Sequence, residues 1–88
     1  RNPFAWTWRA VARRNAGDLP SAERYLRRAI AVGPKHAEAW QELGQVSFEL
    51  GRFQAAADAW KTAVAHNGAL ASKLRPRIDE ARARAEAP

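Results

Sequence analysis

The chain repeats itself with a period of 34 residues, and this self-similarity limits the possible folds more than any other feature of the sequence. After a shift of 34 positions, identical residues coincide at Ala5/Ala39, Trp6/Trp40, Gly17/Gly51, Ala22/Ala56, Ala29/Ala63 and Ala31/Ala65. Near matches in the same frame are Ala10/Gly44, Leu19/Phe53, Leu26/Trp60 and Ile30/Val64. Some alanine matches are expected by chance in so alanine-rich a chain, but the tryptophan and glycine matches are not. Such a period indicates stacked repeats that bury a shared core.

The first repeat shows the signals of two helices joined by a turn. Asn2 followed by Pro3 is typical of a helix start, and Gly17 is typical of a helix end. Asp18 is suited to cap a second helix over about 19–32. We therefore expect a helical hairpin over the first third of the chain, ended by a Gly-Pro pair.

The second repeat has the same organisation. It is expected to open near Ala37, break at Gly51, resume near Phe53 and end at Asn67-Gly68. Apolar side chains recur at helical spacing within it: Trp40, Leu43, Val46, Phe48 and Leu50 in its first helix, and Phe53, Ala56, Trp60, Ala63 and Val64 in its second. Small residues at Ala10/Gly44, Ala22/Ala56 and Ala29/Ala63 would let the two helices of each hairpin touch.

These residues resemble the tetratricopeptide repeat, which has a 34-residue period and a W-x2-L-G-x2-Y, A-x3-F, A, P pattern. The second repeat matches with Trp40, Leu43, Gly44, Ala56, Trp60 in the Phe place and Ala63, and departs at Ser47 and Gly68. The first matches with Trp6, Ala10 in the Gly place, Ala22, Leu26 in the Phe place, Ala29 and Pro34, and departs at Arg9 and Arg13. The resemblance covers residues 3–70 and implies an all-α solenoid.

A closing helix is expected over residues 69–86. One face of it carries Leu70, Leu74, Ile78, Ala81 and Ala85, and the other carries Lys73, Arg75, Arg77, Asp79, Glu80, Arg82 and Arg84. The polar side is that of a terminal cap, facing outward for solubility. Pro76 predicts either a bend in the helix or a short turn before a helix that starts near it, and a nearly continuous, bent helix is favoured. The full expectation is a single domain over 1–88 with five helices: repeat 1 over 3–36, repeat 2 over 37–70 and a capping helix over 71–88.

Composition excludes several classes of function. The sequence has no cysteine, so disulfides and thiolate metal sites are excluded. It shows no apolar run long enough to span a membrane and no signal peptide. Since there is no methionine and the chain begins at Arg1, we expect it to be a piece of a longer protein.

No residue pattern predicts catalysis. His36 and His66 fall in loops or at helix ends, without a carboxylate or thiol in a familiar arrangement. Glu38, Glu42 and Glu49 lie along one helix, which is a weak signal for a cation site. We therefore predict a protein that is not an enzyme and needs no cofactor or metal.

The resemblance implies a concave groove lined by the first helix of each hairpin, which binds a peptide or partner protein. Carried over by register, the groove positions are Thr7, Val11, Arg14, Asn15, Glu38, Gln41, Gln45, Phe48 and Glu49. Some family members bind a peptide's C-terminal carboxylate with Lys, Asn and Arg at set groove positions. Thr7 and Val11 occupy the places of the Lys and Asn here, so this clamp is not expected. Gln and Asn side chains can still hydrogen-bond a peptide backbone. The alternative is an exposed helix face without a ligand.

Two aromatic residues of the first helix, Phe4 and Trp8, fall outside the core pattern. Aromatic side chains are enriched among interface anchors, so they predict a surface for a partner or for self-association into a homo-oligomer. The alternative is that Trp8 folds back onto the second helix near Tyr25 or Leu26.

The net charge of +6 raises two further alternatives. A basic set near the start of the chain could contact nucleic-acid phosphates: Arg9, Arg13, Arg14, Arg24, Arg27 and Arg28. This is disfavoured because Glu23 precedes Arg27 by four residues, an ordinary helix ion pair. The other alternative is an accessory repeat segment of a larger enzyme or of a secretion or assembly protein.

Overall fold

The computed structural model describes residues 2–87, and within them the chain forms five α-helices and one short 3-10 turn. The helices are α1 (Pro3–Asn15), α2 (Leu19–Val32), α3 (Ala37–Glu49), α4 (Phe53–His66) and α5 (Ala71–Glu86), with the 3-10 turn over Gly68–Leu70. Each helix packs against the next in the chain, and α1 also packs against α3. This arrangement confirms the all-α solenoid of helical hairpins.

Local interactions explain where the helices begin and end. The Asn2 side chain accepts a hydrogen bond from the Phe4 amide at 2.9 Å, and the Asp18 carboxylate accepts one from the Ser21 amide at 3.2 Å. These caps satisfy amides that have no partner within the first helical turn. Gly17 and Gly51 end the first helix of each hairpin with φ angles of 84° and 81°, a left-handed conformation that favours glycine.

Two clusters of buried side chains form the core. The first lies among α1–α4 and contains Ala10, Ala22, Leu26, Leu43, Val46 and Ala59. The second lies between α4 and α5 and contains Ala56, Ala57, Trp60, Ala63, Leu74, Ile78 and Ala81. Trp40 packs against both clusters, and its indole nitrogen donates to the Pro34 carbonyl at 2.8 Å. The small residues predicted at the helix crossings are all buried.

The crossing of α3 and α4 shows why one of these residues is glycine. A Cβ atom added to Gly44 would overlap the Trp60 indole ring, at 2.8 Å from Cε2. The Trp60 indole nitrogen donates to the Gln41 carbonyl of α3 at 3.1 Å, which holds the ring over Gly44. The side chain of Trp60 is therefore buried at 2% exposure because α3 leaves room for it.

The capping helix α5 runs without interruption from Ala71 to Glu86 and contains Pro76. Leu74, Ile78 and Ala81 bury its apolar stripe against α4. The continuity agrees with the prediction from the sequence, whereas the expected bend at Pro76 stays a prediction.

Candidate partner-binding groove

Two adjoining cavities lie on the face of the molecule formed by α1, α3 and α5. The first, here called the aromatic notch, has a volume of about 190 Å³ and is lined by Phe4, Thr7, Trp8, Val11, Glu38 and Glu42. The second, here called the polar cavity, has a volume of about 300 Å³ and is lined by Arg14, Gln41, Glu42, Gln45, Trp60, Lys73 and Arg77. Glu42 lines both cavities, so they meet at this residue, and we call the two cavities together the groove.

Aromatic surface dominates the notch. Phe4 is 50% exposed and Trp8 is 72% exposed, although both are large and apolar. Trp8 therefore does not fold back onto Tyr25 or Leu26, which was the alternative considered from the sequence. Phe4 also contacts the imidazole of His36 edge-on, with 4.4 Å between ring centroids, and this contact fixes one wall of the notch.

A polar network connects the three helices across the polar cavity. The Arg14 guanidinium of α1 lies 3.5 Å from Oε1 of Glu42 and 3.5 Å from Oε2 of Glu49, both on α3. Gln45 donates to Glu49 at 2.9 Å and accepts from Arg77 of α5 at 2.8 Å. The network holds these side chains in defined positions along the groove.

Two atoms of this network are buried without a hydrogen-bond partner among the described residues. They are Nε of Arg14 and Oε1 of Glu42, and the latter makes only the long ion pair to Arg14. Buried polar atoms normally have hydrogen-bond partners. Both atoms are shielded from solvent by the side chains of the network, so their hydrogen-bonding capacity is not exposed to the cavity.

Most groove residues predicted from the sequence line one of the two cavities. Val11 and Glu38 lie in the notch, while Arg14, Gln41 and Gln45 lie in the polar cavity. Thr7 also borders the notch, but it is 7% exposed and its hydroxyl donates to the Pro3 carbonyl at 2.8 Å. Thr7 therefore contributes shape rather than a free hydrogen-bonding group.

Three predicted residues stand apart from the cavities. Asn15 is exposed and lines neither of them, and Glu49 acts only through its contacts with Arg14 and Gln45. Phe48 also lines neither cavity. Its ring packs against Phe53 and Trp60, with centroids 5.1 and 5.8 Å away.

The position of Phe48 follows from helix geometry. Residues four apart lie on the same face of a helix, so Phe48 shares a face with Gly44, which is directed at Trp60. The guanidinium of Arg84 lies 5.2 Å from the centre of the Phe48 ring and covers it from α5. Phe48 consequently belongs to the contact of α3 with α4 and α5.

Glu42, Lys73 and Arg77 line the groove but were not predicted to do so. Glu42 follows Glu38 by four residues, so helical spacing alone could have identified it. Lys73 and Arg77 were expected on the outward polar face of the cap, yet they border the polar cavity. The opposite edge of α5, with Arg75, Asp79 and Arg82, borders a separate outer cavity of about 460 Å³ between α4 and α5.

The arginines that suggested nucleic-acid binding do not form one free basic surface. Arg14 pairs with carboxylates of α3, and Arg27 pairs with Glu23 at 3.1 Å. Arg9 and Arg28 lie over the Trp6 ring, with guanidinium carbons 5.1 and 5.2 Å from its centre. Arg24 donates to the Ser21 hydroxyl, a neutral partner, so two of the six predicted residues are paired with carboxylates and three others keep their charge while contacting neutral groups.

One carboxylate joins the two repeats. Glu23 of α2 pairs with Arg27 and, at 2.8 Å, with Arg52 at the start of α4. Partial burial acts to raise the pKa of Glu23, but hydrogen bonds and charge from Arg27 and Arg52 outweigh it and lower the pKa below the usual value. The pKa of Asp18 is also lowered, by the hydrogen bonds that this carboxylate accepts from Ser21.

No group of three or more His, Asp or Glu residues within 2–87 is arranged to hold a metal ion. No helix in the same range is both long and apolar enough to cross a membrane.

The fold and the groove define an α-helical repeat protein built from stacked hairpins and closed by one extra helix. The family model described as "Tetratricopeptide repeat" matches residues 8–72, and the chain belongs to this family. No curated protein matches the chain. Tetratricopeptide repeats are generally protein-interaction modules and typically lack catalysis, so the family supports protein partners.

Proposed function

We propose that this chain is a non-catalytic module that binds an extended peptide segment of a partner protein in the groove between α1, α3 and α5. The observation that carries the proposal is that two chemically different cavities lie side by side on this face, with Glu42 in the wall of both. A groove that combines an apolar notch with fixed polar groups suits a peptide, whose backbone needs hydrogen bonds and whose side chains need pockets.

The polar network supports this proposal in a second way. The side chains of Gln41 and Gln45 border the polar cavity, together with those of Arg14 and Glu42. Amide and charged groups of this kind can donate to and accept from a peptide backbone without reading its sequence. If the chain is a segment of a larger enzyme or assembly protein, the same groove would hold that protein's substrate or partner.

Selection of peptides from a randomised 12-residue display library on the immobilised chain tests the proposal. Amide chemical shifts, measured by NMR during titration with a selected peptide, should change in α1, α3 and α5 and stay constant on the outer surfaces of α2 and α4. A Gln41→Ala/Gln45→Ala variant should bind the peptide more weakly. The matched control, Gln54→Ala, lies on α4 outside the groove and should bind like the unmodified chain.

Binding that leaves the shifts of α1 and α3 unchanged, or that is insensitive to the Gln41 and Gln45 changes, would contradict the assignment to the groove. Failure to select any peptide would contradict peptide binding itself.

A second candidate partner for the notch is another copy of the chain. Its support is the exposure of Trp8 and Phe4, since large apolar residues exposed together often mark interaction surfaces. In this case the aromatic side chains of two copies would cover one another, and peptide binding would compete with self-association.

A further inference from the structure

The two ends of the groove differ in charge. The notch end carries aromatic rings together with the carboxylates of Glu38 and Glu42. The far end carries Lys73 and Arg77, which α5 contributes to the wall of the polar cavity. A ligand that spans the groove therefore contacts aromatic and acidic side chains at the notch end and basic side chains at the α5 end.

The positive charge at the α5 end is not neutralised within the protein. The Arg77 guanidinium donates to the side-chain carbonyl of Gln45, a neutral partner. Over residues 2–87, neither Lys73 nor Arg77 has a carboxylate within ion-pairing distance. Arg14, by contrast, pairs with two carboxylates, and Arg84 of the same helix pairs with Glu80 at 2.9 Å.

Lys73 and Arg77 are also spaced to act together. They are four residues apart on α5, so their Cβ atoms lie roughly 5–6 Å apart on one face of the helix. Two long cationic side chains at this separation can contact the two oxygens of a single carboxylate. Burial of Leu74 and Ile78 against α4 fixes the rotation of α5 that keeps both cations beside the cavity.

From these observations, and resting on the proposed function, we infer that α5 is the acid-binding end of the groove. The ligand is an extended peptide that places an Asp or Glu side chain between Lys73 and Arg77 and a bulky apolar side chain in the aromatic notch. Packed helices are roughly 8–10 Å apart, so α1 and α5 lie about 16–20 Å apart across α3. At about 3.3 Å per extended residue, the acidic and apolar residues are separated by about five or six positions.

Parallel selections from the same 12-residue peptide library test this inference. The targets are the unmodified chain, Lys73→Gln/Arg77→Gln, and the control Lys61→Gln/Arg82→Gln. The control removes the same charge from the outer cavity between α4 and α5. We expect the unmodified chain and the control to select Asp or Glu about five or six positions from a bulky apolar residue. The Lys73/Arg77 variant should retain the apolar preference and lose the acidic one.

Isothermal titration calorimetry with one selected peptide gives the energetic test. Replacing its acidic residue by the corresponding amide should weaken binding to the unmodified chain by about five- to tenfold, the range of one or two partly exposed ion pairs. The same peptide change should have no effect on the Lys73→Gln/Arg77→Gln variant. A charge-reversed variant, Lys73→Glu/Arg77→Glu, should instead select Lys or Arg at that position, which a merely structural role of α5 would not produce.

The outcomes separate this inference from the function on which it rests. Peptides that bind the groove without an acidic preference would overturn the role of Lys73 and Arg77 and leave the proposed function intact. Absence of any selected peptide would overturn both. A 12-nucleotide single-stranded RNA that competes with the peptide, binds at least as tightly and depends on the same two residues would also overturn it, in favour of a nucleic-acid ligand.

Discussion

At the scale of single residues, the two repeats have side chains of different volume at equivalent positions of a helix crossing. The second repeat pairs Gly44 with Trp60, and the first has Ala10 and Leu26 at the corresponding positions, both buried in the first core cluster. A larger residue on one helix is thus accompanied by a smaller one on its partner. Dense packing explains this, because an interior filled to crystal density tolerates neither an overlap nor a void.

The first prediction is that Gly44→Ala destabilises the protein by about 1–3 kcal/mol, since the added methyl group overlaps the Trp60 ring. Trp60→Leu alone should cost about 3 kcal/mol or more because it leaves a cavity. The Gly44→Ala/Trp60→Leu double variant restores the pair found in the first repeat. Its free energy of unfolding, measured by urea denaturation, should fall by less than the sum of the single losses. Additive losses would show that the two residues do not share a contact.

The second prediction concerns Ala22 and Ala56, which are both 0% exposed where the helices of each hairpin meet. Ala22→Leu and Ala56→Leu should each lower the free energy of unfolding by about 1–3 kcal/mol through overpacking. Matched controls are Ala31→Leu in α2 and Ala55→Leu in α4, which are exposed and should have little effect. Melting temperatures from circular dichroism distinguish these cases, and unchanged values for both buried sites would contradict the repeat register.

At the scale of elements, Glu23 connects two helices that belong to different repeats. Its carboxylate forms ion pairs with Arg27 within α2 and with Arg52 at the N-terminus of α4. The Glu23 side chain is 17% exposed, so it is screened by solvent less than an ordinary surface pair. This contact restrains how the second hairpin sits on the first.

The third prediction is a pH dependence that comes from Glu23. Its pKa is lower in the folded state than the usual 4.5, so its stabilisation is complete above that value and is lost as the pH falls through the folded-state pKa. Glu23→Gln should cost roughly 1 kcal/mol at pH 7. The difference from the unmodified chain should disappear in more acidic solution, as measured by urea denaturation at several pH values. Glu80→Gln, which removes an exposed pair on α5, should cost less, and a pH-independent loss for Glu23→Gln would contradict the argument.

The rotation of the capping helix α5 about its own axis determines which of its side chains face the groove. Leu74, Ile78 and Ala81 are buried against α4, and this leaves Lys73 and Arg77 at the groove and Arg82 at the outer cavity. A rotation by about one residue, roughly 100°, would remove both cations from the groove. The cap therefore does more than cover the core, since its packing decides which charges a ligand meets.

At the scale of the whole molecule, α5 completes a core that two hairpins would leave open. Repeat proteins usually need about three units for stability, because each unit buries its apolar face on the next. Here Leu74 and Ile78 cover the side of α4 that a third repeat would otherwise cover. The opposite end of the molecule has no such cover among the described residues, and there Trp8 and Phe4 remain exposed.

The fourth prediction follows from that exposed end. The isolated chain should self-associate as its concentration rises toward roughly 1 mM, which corresponds to about 4 kcal/mol of association free energy. Trp8→Ala should shift the equilibrium toward monomer in sedimentation equilibrium experiments, because it removes the larger exposed aromatic side chain. Val32→Ala, at an exposed apolar position on α2, serves as control and should leave association unchanged. A strictly monomeric chain over this range would rule out self-association through the notch.

The sequence by itself determined the period, the helix limits and the buried small residues. Capping at Asn2 and Asp18 and the left-handed turns at Gly17 and Gly51 depend on interactions within a few residues of the chain. Each of these features is a local consequence of backbone geometry, so neighbouring residues in the sequence contain the information. The groove positions of Gln41 and Gln45 on α3 were predicted differently, from the register of the family resemblance, and both residues line the polar cavity.

The tertiary structure alone decided which side chains complete the groove. Phe48 packs against Phe53 and Trp60 of α4 because Gly44, on the same face of α3, leaves room for the Trp60 ring. Lys73 and Arg77 line the groove because the neighbouring apolar side chains of α5, Leu74 and Ile78, are buried against α4. The direction of each side chain is set by the rotation of its helix, and that rotation is fixed by contacts between residues far apart in the chain.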